Sequence, residues 1–412
     1  MTNQEELREL KKQIQDVIRR NSDRGFVPYS GCNRIAWELS RIIEIATGHV
    51  QSGNYQQGLE IYLLVLLQTI KLISHADDSS GCCGEIILYS LEEINKLCKI
   101  LAETDDGEVF KSILKAARNK AFQGWEEWAY KLLLAAVPLV RNVKQGEKIK
   151  ELFPVLGTMY DDKDYPEKAL ILLGIKERLE GEEEGKRFLL DNINLPELRK
   201  ILIERSIVAQ DYDFAEKLCK EALEKKIEVY YHRPSNWDYF LEQIYSKTDN
   251  ETSLYDIIKK ILFLGRPEYF YKLKELLIQQ GRWEQERDNL WQELAVKIGV
   301  SNYAGLLSRE NELERLLEVV KQHPSLIQYY GTKLGGIYPD EVSQLFETYI
   351  LIEAKAANNR REYRQVSQLL NLQAQSVGKD RALELIDSLI KMYPRRPAML
   401  DELEKRKNKL KK

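Results

Sequence analysis

The sequence predicts an all-α protein, built as an α-solenoid of antiparallel helix pairs. Two observations predict it: apolar residues recur at helical spacing along almost the whole chain, and helix-stop residues fall at short intervals between these stripes. A third excludes the main competitor. Gly and Pro number only 22 and 11 in 412 residues, too few for an all-β fold that needs a turn every few residues.

The periodic segments are explicit. Leu254, Ile257, Ile258, Ile261 and Leu262 fall at i, i+3, i+4, i+7 and i+8, which places them in one stripe along a helix. Leu313, Leu316, Leu317 and Val320 repeat the spacing, as do Ala382, Leu385, Ile386 and Leu389. Glu, Lys, Arg and Gln fill the positions between, as on a solvated helix face. No run alternates apolar and polar residues between hairpin turns.

Stops and starts divide the pattern. Gly53, Gly107, Gly124, Gly181, Gly281, Gly299 and Gly378 sit between stripes, where a left-handed cap favours glycine. Pro166, Pro196, Pro267, Pro324, Pro339 and Pro394 fall near helix starts, where the missing N–H costs nothing. The intervals, about 12 to 20 residues, predict roughly twenty helices joined by short connections. The stretch His75 to Glu85 reads as a loop, Gly181 to Glu184 as a short acidic turn, and Tyr231 to Asn236 as a break between two halves, 1–230 and 231–412, which a continuous solenoid would join.

Three starts share a pattern. Asn54-Tyr55-Gln56-Gln57-Gly58, Asp164-Tyr165-Pro166-Glu167-Lys168-Ala169 and Asp211-Tyr212-Asp213-Phe214-Ala215 each set an aromatic at a helix start and a small residue three or four positions later. Gly281-Arg282-Trp283 and Glu362-Tyr363 are weaker relatives. Tetratricopeptide-like hairpins use the small residue for close helix approach and the aromatic to fill the gap to the previous hairpin. The spacing is irregular, so the expectation is a right-handed, curved solenoid of degenerate pairs.

Composition narrows the function classes. Net charge is −3 with 31% charged residues, which gives no global electrostatic case for nucleic acid or an anionic membrane. Hydrophobic residues make up 43%, enough for a packed core. The apolar stretches Ile61–Ile70 and Leu132–Val140 are too short to span a bilayer. Met1 to Arg20 is charged throughout and has no apolar signal core. Cys32, Cys82, Cys83, Cys98 and Cys219 form no disulfide framework, which implies a reducing compartment. The expected setting is cytoplasmic, without a membrane.

Candidate chemistry is sparse. His75, Asp77, Asp78, Cys82 and Cys83 offer metal-ligand groups within one loop. Adjacent cysteines make a poor zinc pair, and Asp77-Asp78-Ser79 is also what a helix start uses; the structural reading is favoured. A nucleophilic cysteine needs a histidine, and of His49, His75, His232 and His323 only His75 lies near one. No phosphate loop, zinc helix or nucleophile elbow is present. The sequence therefore assigns no catalytic, cofactor-binding or metal-binding residue, no cofactor and no enzymatic activity. The aromatics Tyr230, Tyr231, Trp237, Tyr239 and Phe240, and Tyr269, Phe270 and Tyr271, read mainly as core between hairpins, with a minority free to anchor a peptide. Arg395, Arg396 and the stretch Lys405 to Lys412 are the one basic concentration, interleaved with Asp401, Glu402 and Glu404.

An ordered set of phrases carries a family resemblance. Asp23-Arg24-Gly25-Phe26 and Asp77-Asp78-Ser79-Ser80-Gly81 come first, then Leu198-Arg199, Asp211-Tyr212, and Tyr269 to Lys274 with Trp283. Tyr338-Pro339, Arg360-Arg361-Glu362-Tyr363 and Tyr393-Pro394-Arg395-Arg396-Pro397 through Leu403 follow. Together they resemble the helical region that follows the zinc finger in bacterial SWIM zinc-finger proteins, most specifically from Glu310 to Leu403. The finger itself, Cys-x-Cys followed by Cys-x-His, is absent from this sequence, so no zinc ligand carries over. The resemblance implies a bacterial origin and a cytoplasmic setting, for either the helical region of a longer zinc-finger protein or a paralogue that lacks the finger. The expectation is a non-enzymatic scaffold that binds a protein or peptide partner. The alternative is a nucleic-acid-associated accessory protein that uses the basic C-terminal helix.

Overall fold

The structure, a computed structural model, describes residues 3–105 and 107–411. The chain is all-α, and it divides into two compact units, Met1–Ile227 and Glu228–Lys412. In the first unit the helices are α1 (Asn3–Arg20), α2 (Tyr29–Gln51), α3 (Tyr55–Ile73), α4 (Cys82–Ile100), α5 (Glu108–Ala117), α6 (Glu126–Ala136), α7 (Val143–Lys150), α8 (Phe153–Leu156), α9 (Pro166–Glu180), α10 (Glu182–Asp191), α11 (Pro196–Val208) and α12 (Tyr212–Glu224). In the second they are α13 (Asn236–Lys247), α14 (Glu251–Phe263), α15 (Tyr269–Gln279), α16 (Trp283–Lys297), α17 (Val300–Arg309), α18 (Leu313–Gln322), α19 (Ile327–Gly335), α20 (Pro339–Ala356), α21 (Arg360–Val377), α22 (Lys379–Met392) and α23 (Pro397–Lys411).

Within each unit a helix packs on the next and often on the next but one. In the first, α3 touches α1, α2, α4 and α5; in the second, α21 touches α19, α20, α22 and α23. Short connections make sequential neighbours antiparallel, and the repeated next-but-one contact is that of stacked hairpins within each unit.

The apolar stripes face these contacts. Ile257, Ile258, Ile261 and Leu262 on α14 are buried, as are Leu316, Leu317 and Val320 on α18. On α22, Ala382, Leu385, Ile386 and Leu389 are buried too. Gly58 of α3 shows why a small residue follows the aromatic start: a methyl there would lie 2.5 Å from Val50 Cγ2 and 3.0 Å from the Ala46 carbonyl of α2. Tyr165, just before α9, sets its ring 5.1 Å from that of Tyr130 on α6.

Three expectations need correction. The loop beginning at His75 ends at Gly81, because Cys82 already opens α4. Glu182, Glu183 and Glu184 are the first turn of α10 rather than a turn; negative charge suits the positive end of the helix dipole. Gly299 has φ −62° and precedes α17 in extended backbone, whereas the other six stop glycines have positive φ.

The aromatics divide as their helical positions require. Trp237 and Phe270 are fully buried, and the Phe270 ring lies at a tilt 4.9 Å from Trp291. Tyr230, Tyr231 and Tyr271 are exposed.

Candidate functional site

The first unit assembles a site where α2, the 74–81 loop and α4 meet. Assembly starts with a tight turn. Asp23 N–H donates to the Phe26 carbonyl at 2.8 Å and Phe26 N–H donates back to Asp23 at 3.0 Å, across Arg24 and Gly25, both with positive φ. The turn delivers Val27, fully buried, into a short pairing with the loop. Val27 N–H donates to the His75 carbonyl at 3.0 Å, and Asp77 N–H donates to the Val27 carbonyl at 2.8 Å. Ser80 Oγ adds a bond to Asn33 Oδ1 at 3.0 Å.

This clamp sets Asp78 beneath the start of α4. Its carboxylate accepts from the N–H of Cys83 at 2.8 Å and of Gly84 at 3.0 Å, satisfying donors that the first turn leaves open. Asp78 therefore holds first-turn N–H groups of α4 from the loop, while Gly81 occupies the N-cap position itself. The same placement brings its carboxylate together with Cys83 and with Cys32 of α2: one ligand atom from each lies within 4.8 Å of the others. Cys32 and Cys83 are fully buried. Cys82 is half-buried, and its Sγ lies 3.4 Å from Asp78 Oδ1. Burial, reinforced by the neighbouring negative groups, pushes both the Cys32 and Cys83 thiols above their ordinary range.

Of the loop residues with ligand chemistry, Asp78 and Cys83 join this group. His75 is exposed and does not. Asp77 bonds Ser79, which holds its carboxyl below the usual range. Cys32 joins from 46 positions before Asp78. The signal that points to it is its place on the buried stripe of α2, with Ile35, Ala36, Leu39, Ile42, Ile43 and Ala46.

Trp37 lies off that stripe and is 61% exposed. It forms a wall of two grooves. One, about 450 Å³ between α2 and α4, is lined by Ala36, Trp37, Ser40, Ile43, Ile86, Tyr89 and Cys82, with Glu44 and Glu85 at its edges. The other, about 430 Å³, runs between α1 and α2 past Val17, Arg20, Asn33, Arg34 and Glu38. The Arg41 guanidinium sits 5.2 Å from the Trp37 ring centroid. Leu88 and Tyr89 on α4 are also exposed. Sequence reading passed over Trp37, although a Trp outside a clean i, i+3, i+4 stripe is itself a signal of an exposed aromatic.

The second unit holds a cavity of about 620 Å³ near α16, α17 and α18. Its charged wall is largely neutralised from within: Arg287 pairs with Glu312, and Arg315 with Asp288 and Glu312.

The basic C-terminal helix is likewise bonded to its own unit. Arg396 donates to the Ala354 and Ala357 carbonyls at 2.9 Å each, capping the end of α20. Arg406 bonds Asn371 at 2.9 Å and Ser367 at 3.2 Å, and Lys405 bonds Asp401 at 2.8 Å. Lys407 bonds Asp387. Arg360 pairs with Asp401 and Glu402, tying the start of α21 to α23. Lys412 lies outside the described residues.

No protein-family model and no curated protein matches this chain. Among solved structures, a chain described as "Circular tandem repeat protein with novel repeat topology and enhanced subunit contact surfaces" aligns over 98% of this chain and 96% of its own, at 14% identity and a TM-score of 0.26. That likeness is too low to carry an argument. No described helix is long and apolar enough to cross a membrane.

Proposed function

We propose that the protein is a non-enzymatic helical-repeat scaffold whose first unit docks a protein or peptide segment on the α2–α4 face. The observation that carries this reading is Trp37, 61% exposed and standing between two grooves. A large aromatic that leaves most of its ring in water gains about 2 to 4 kcal/mol when a partner covers it. Trp and Tyr are the side chains that most often dominate such interfaces. Tyr89 and Ile86 on the opposite wall supply the second contact, and Glu44 and Glu85 supply the polar rim.

The nucleic-acid alternative has less support. It needs cations free to release counterions from phosphate, and Arg396, Arg406, Lys405 and Lys407 already bond within their own unit. Arg360 is likewise paired within its own unit, with Asp401 and Glu402.

A photo-crosslinking amino acid at Ser40, introduced in the cells that make the protein, tests the docking reading. The expected result is a discrete adduct that disappears when Trp37→Ala is added. Adducts of equal yield with and without Trp37 would remove the groove from consideration.

A further inference from the structure

We propose that Cys32, Asp78 and Cys83 form a binding site for a thiophilic divalent cation of the zinc class, with solvent in the fourth position. The three ligand atoms come from the first turn of α2, the loop before α4 and the first turn of α4, and lie within 4.8 Å of one another. Metal–sulfur bonds of about 2.3 Å in a tetrahedral site put two thiolate sulfurs about 3.8 Å apart. A contraction of about 1 Å or less therefore closes the group on an ion. Cys82, whose Sγ is 3.4 Å from Asp78 Oδ1, stands beside this group rather than in it. It also lines the α2–α4 groove, which gives an ion a path from solvent.

Two features separate this group from ordinary buried cysteines, which act as small apolar side chains. Cys98 and Cys219 are buried equally well, yet neither belongs to such a group among the described residues. The Asp78 carboxylate, moreover, is held by the N–H groups of Cys83 and Gly84. Outer donors of this kind orient a ligating carboxylate without using up its lone pairs. Capping and ligation are compatible for this reason. The Val27 pairing and the Ser80–Asn33 bond hold the loop so that the ligands need not be gathered from a mobile segment.

Burial favours the protonated thiols, and a bound cation supplies the counter-charge that thiolates would otherwise lack. The exchange balances without a redox step. One divalent ion forms bonds to the Cys32 and Cys83 sulfurs and to an Asp78 oxygen, and the two S–H bonds release two protons to solvent. The ion site adjoins the docking groove but does not rest on a partner being bound there.

Cobalt(II) titration of the reduced full-length protein tests it. The expected result is a thiolate-to-cobalt charge-transfer band that saturates at one equivalent and bleaches when zinc is added. Cys32→Ser and Cys83→Ser should each lose the band, Asp78→Asn should weaken it, and Cys98→Ser should leave it intact. Because the first three changes touch a core and a helix cap, X-ray absorption of the zinc-loaded wild-type protein provides a measurement that needs no variant. Two sulfurs with two light ligands support the site. No band with the reduced protein, a band that survives loss of both Cys32 and Cys83, or an all-oxygen and nitrogen shell overturns it. So does a reduced protein that binds no metal and gives a Cys32–Cys83 disulfide on air oxidation, which would make the pair a redox element instead.

Discussion

Arg199 Nη1 donates to the backbone carbonyl of Leu218 at 2.8 Å, from a guanidinium with no exposed surface. Its Nε donates to the Ile193 carbonyl at 3.0 Å, and Glu221 lies 3.7 Å away. The side chain therefore joins the turn before α11 to α12 from within the packing. Removing the guanidinium leaves the Ile193 carbonyl and part of the Glu221 charge without their partner. Arg199→Ala should lower the stability of the first unit by about 3 kcal/mol, read from urea unfolding midpoints. A loss below about 1 kcal/mol would show that water replaces the guanidinium without penalty.

In the second unit Gly335 lets α19 lie close against the end of α21. A methyl there would lie 2.2 Å from the Ser376 carbonyl of α21, and the backbone cannot rotate away. Gly335→Ala should destabilise by about 1 to 3 kcal/mol. Gly336 provides the control, with φ −68° and nothing within 4 Å of an added methyl. Gly336→Ala should be neutral or stabilising by about 0.5 kcal/mol. Equal midpoints for the two variants would contradict the close α19–α21 contact.

The helices were legible in the sequence because burial on one face leaves a periodic residue pattern. The stripes on α14, α18 and α22 are read directly, and so is the small residue at Gly58. Pro166, Pro196 and Pro339 mark helix starts because proline fixes the φ that the first turn needs. What stayed hidden depends on tertiary pairing. Cys32 meets Asp78 only because the Asp23–Phe26 turn lays Val27 along the loop, and no local pattern encodes that pairing. The acidic run at Glu182 was misread for a local reason: three glutamates after a glycine suit a turn and a helix N-terminus alike.

Glu167 gives a pH dependence of predictable sign. It lies in the first turn of α9, almost buried, with Oε2 unpaired and Lys131 Nζ 4.0 Å from Oε1. Burial raises its carboxyl above the usual range; Lys131 opposes this, while Glu127 and Glu197 add to it. A raised carboxyl favours the folded state while it stays protonated. Its stabilising contribution is therefore full below the unfolded value, about 4.5, and is lost as pH rises through the folded value. Glu167→Gln should remove this loss, so its stability relative to wild type should grow between about pH 4 and pH 7. A difference that is flat across that range would place Glu167 in solvent.

The proposed docking of a partner segment on the α2–α4 face of the first unit depends on Trp37. Calorimetric titration of the crosslinked partner segment into purified wild-type and Trp37→Ala proteins tests it most directly, with unfolding midpoints measured alongside. Because Trp37 contributes little to the core, the midpoint should stay within about 0.5 kcal/mol of wild type. The dissociation constant should rise about thirtyfold, the equivalent of about 2 kcal/mol. An unchanged dissociation constant in a folded Trp37→Ala protein would show that Trp37 does not anchor a partner.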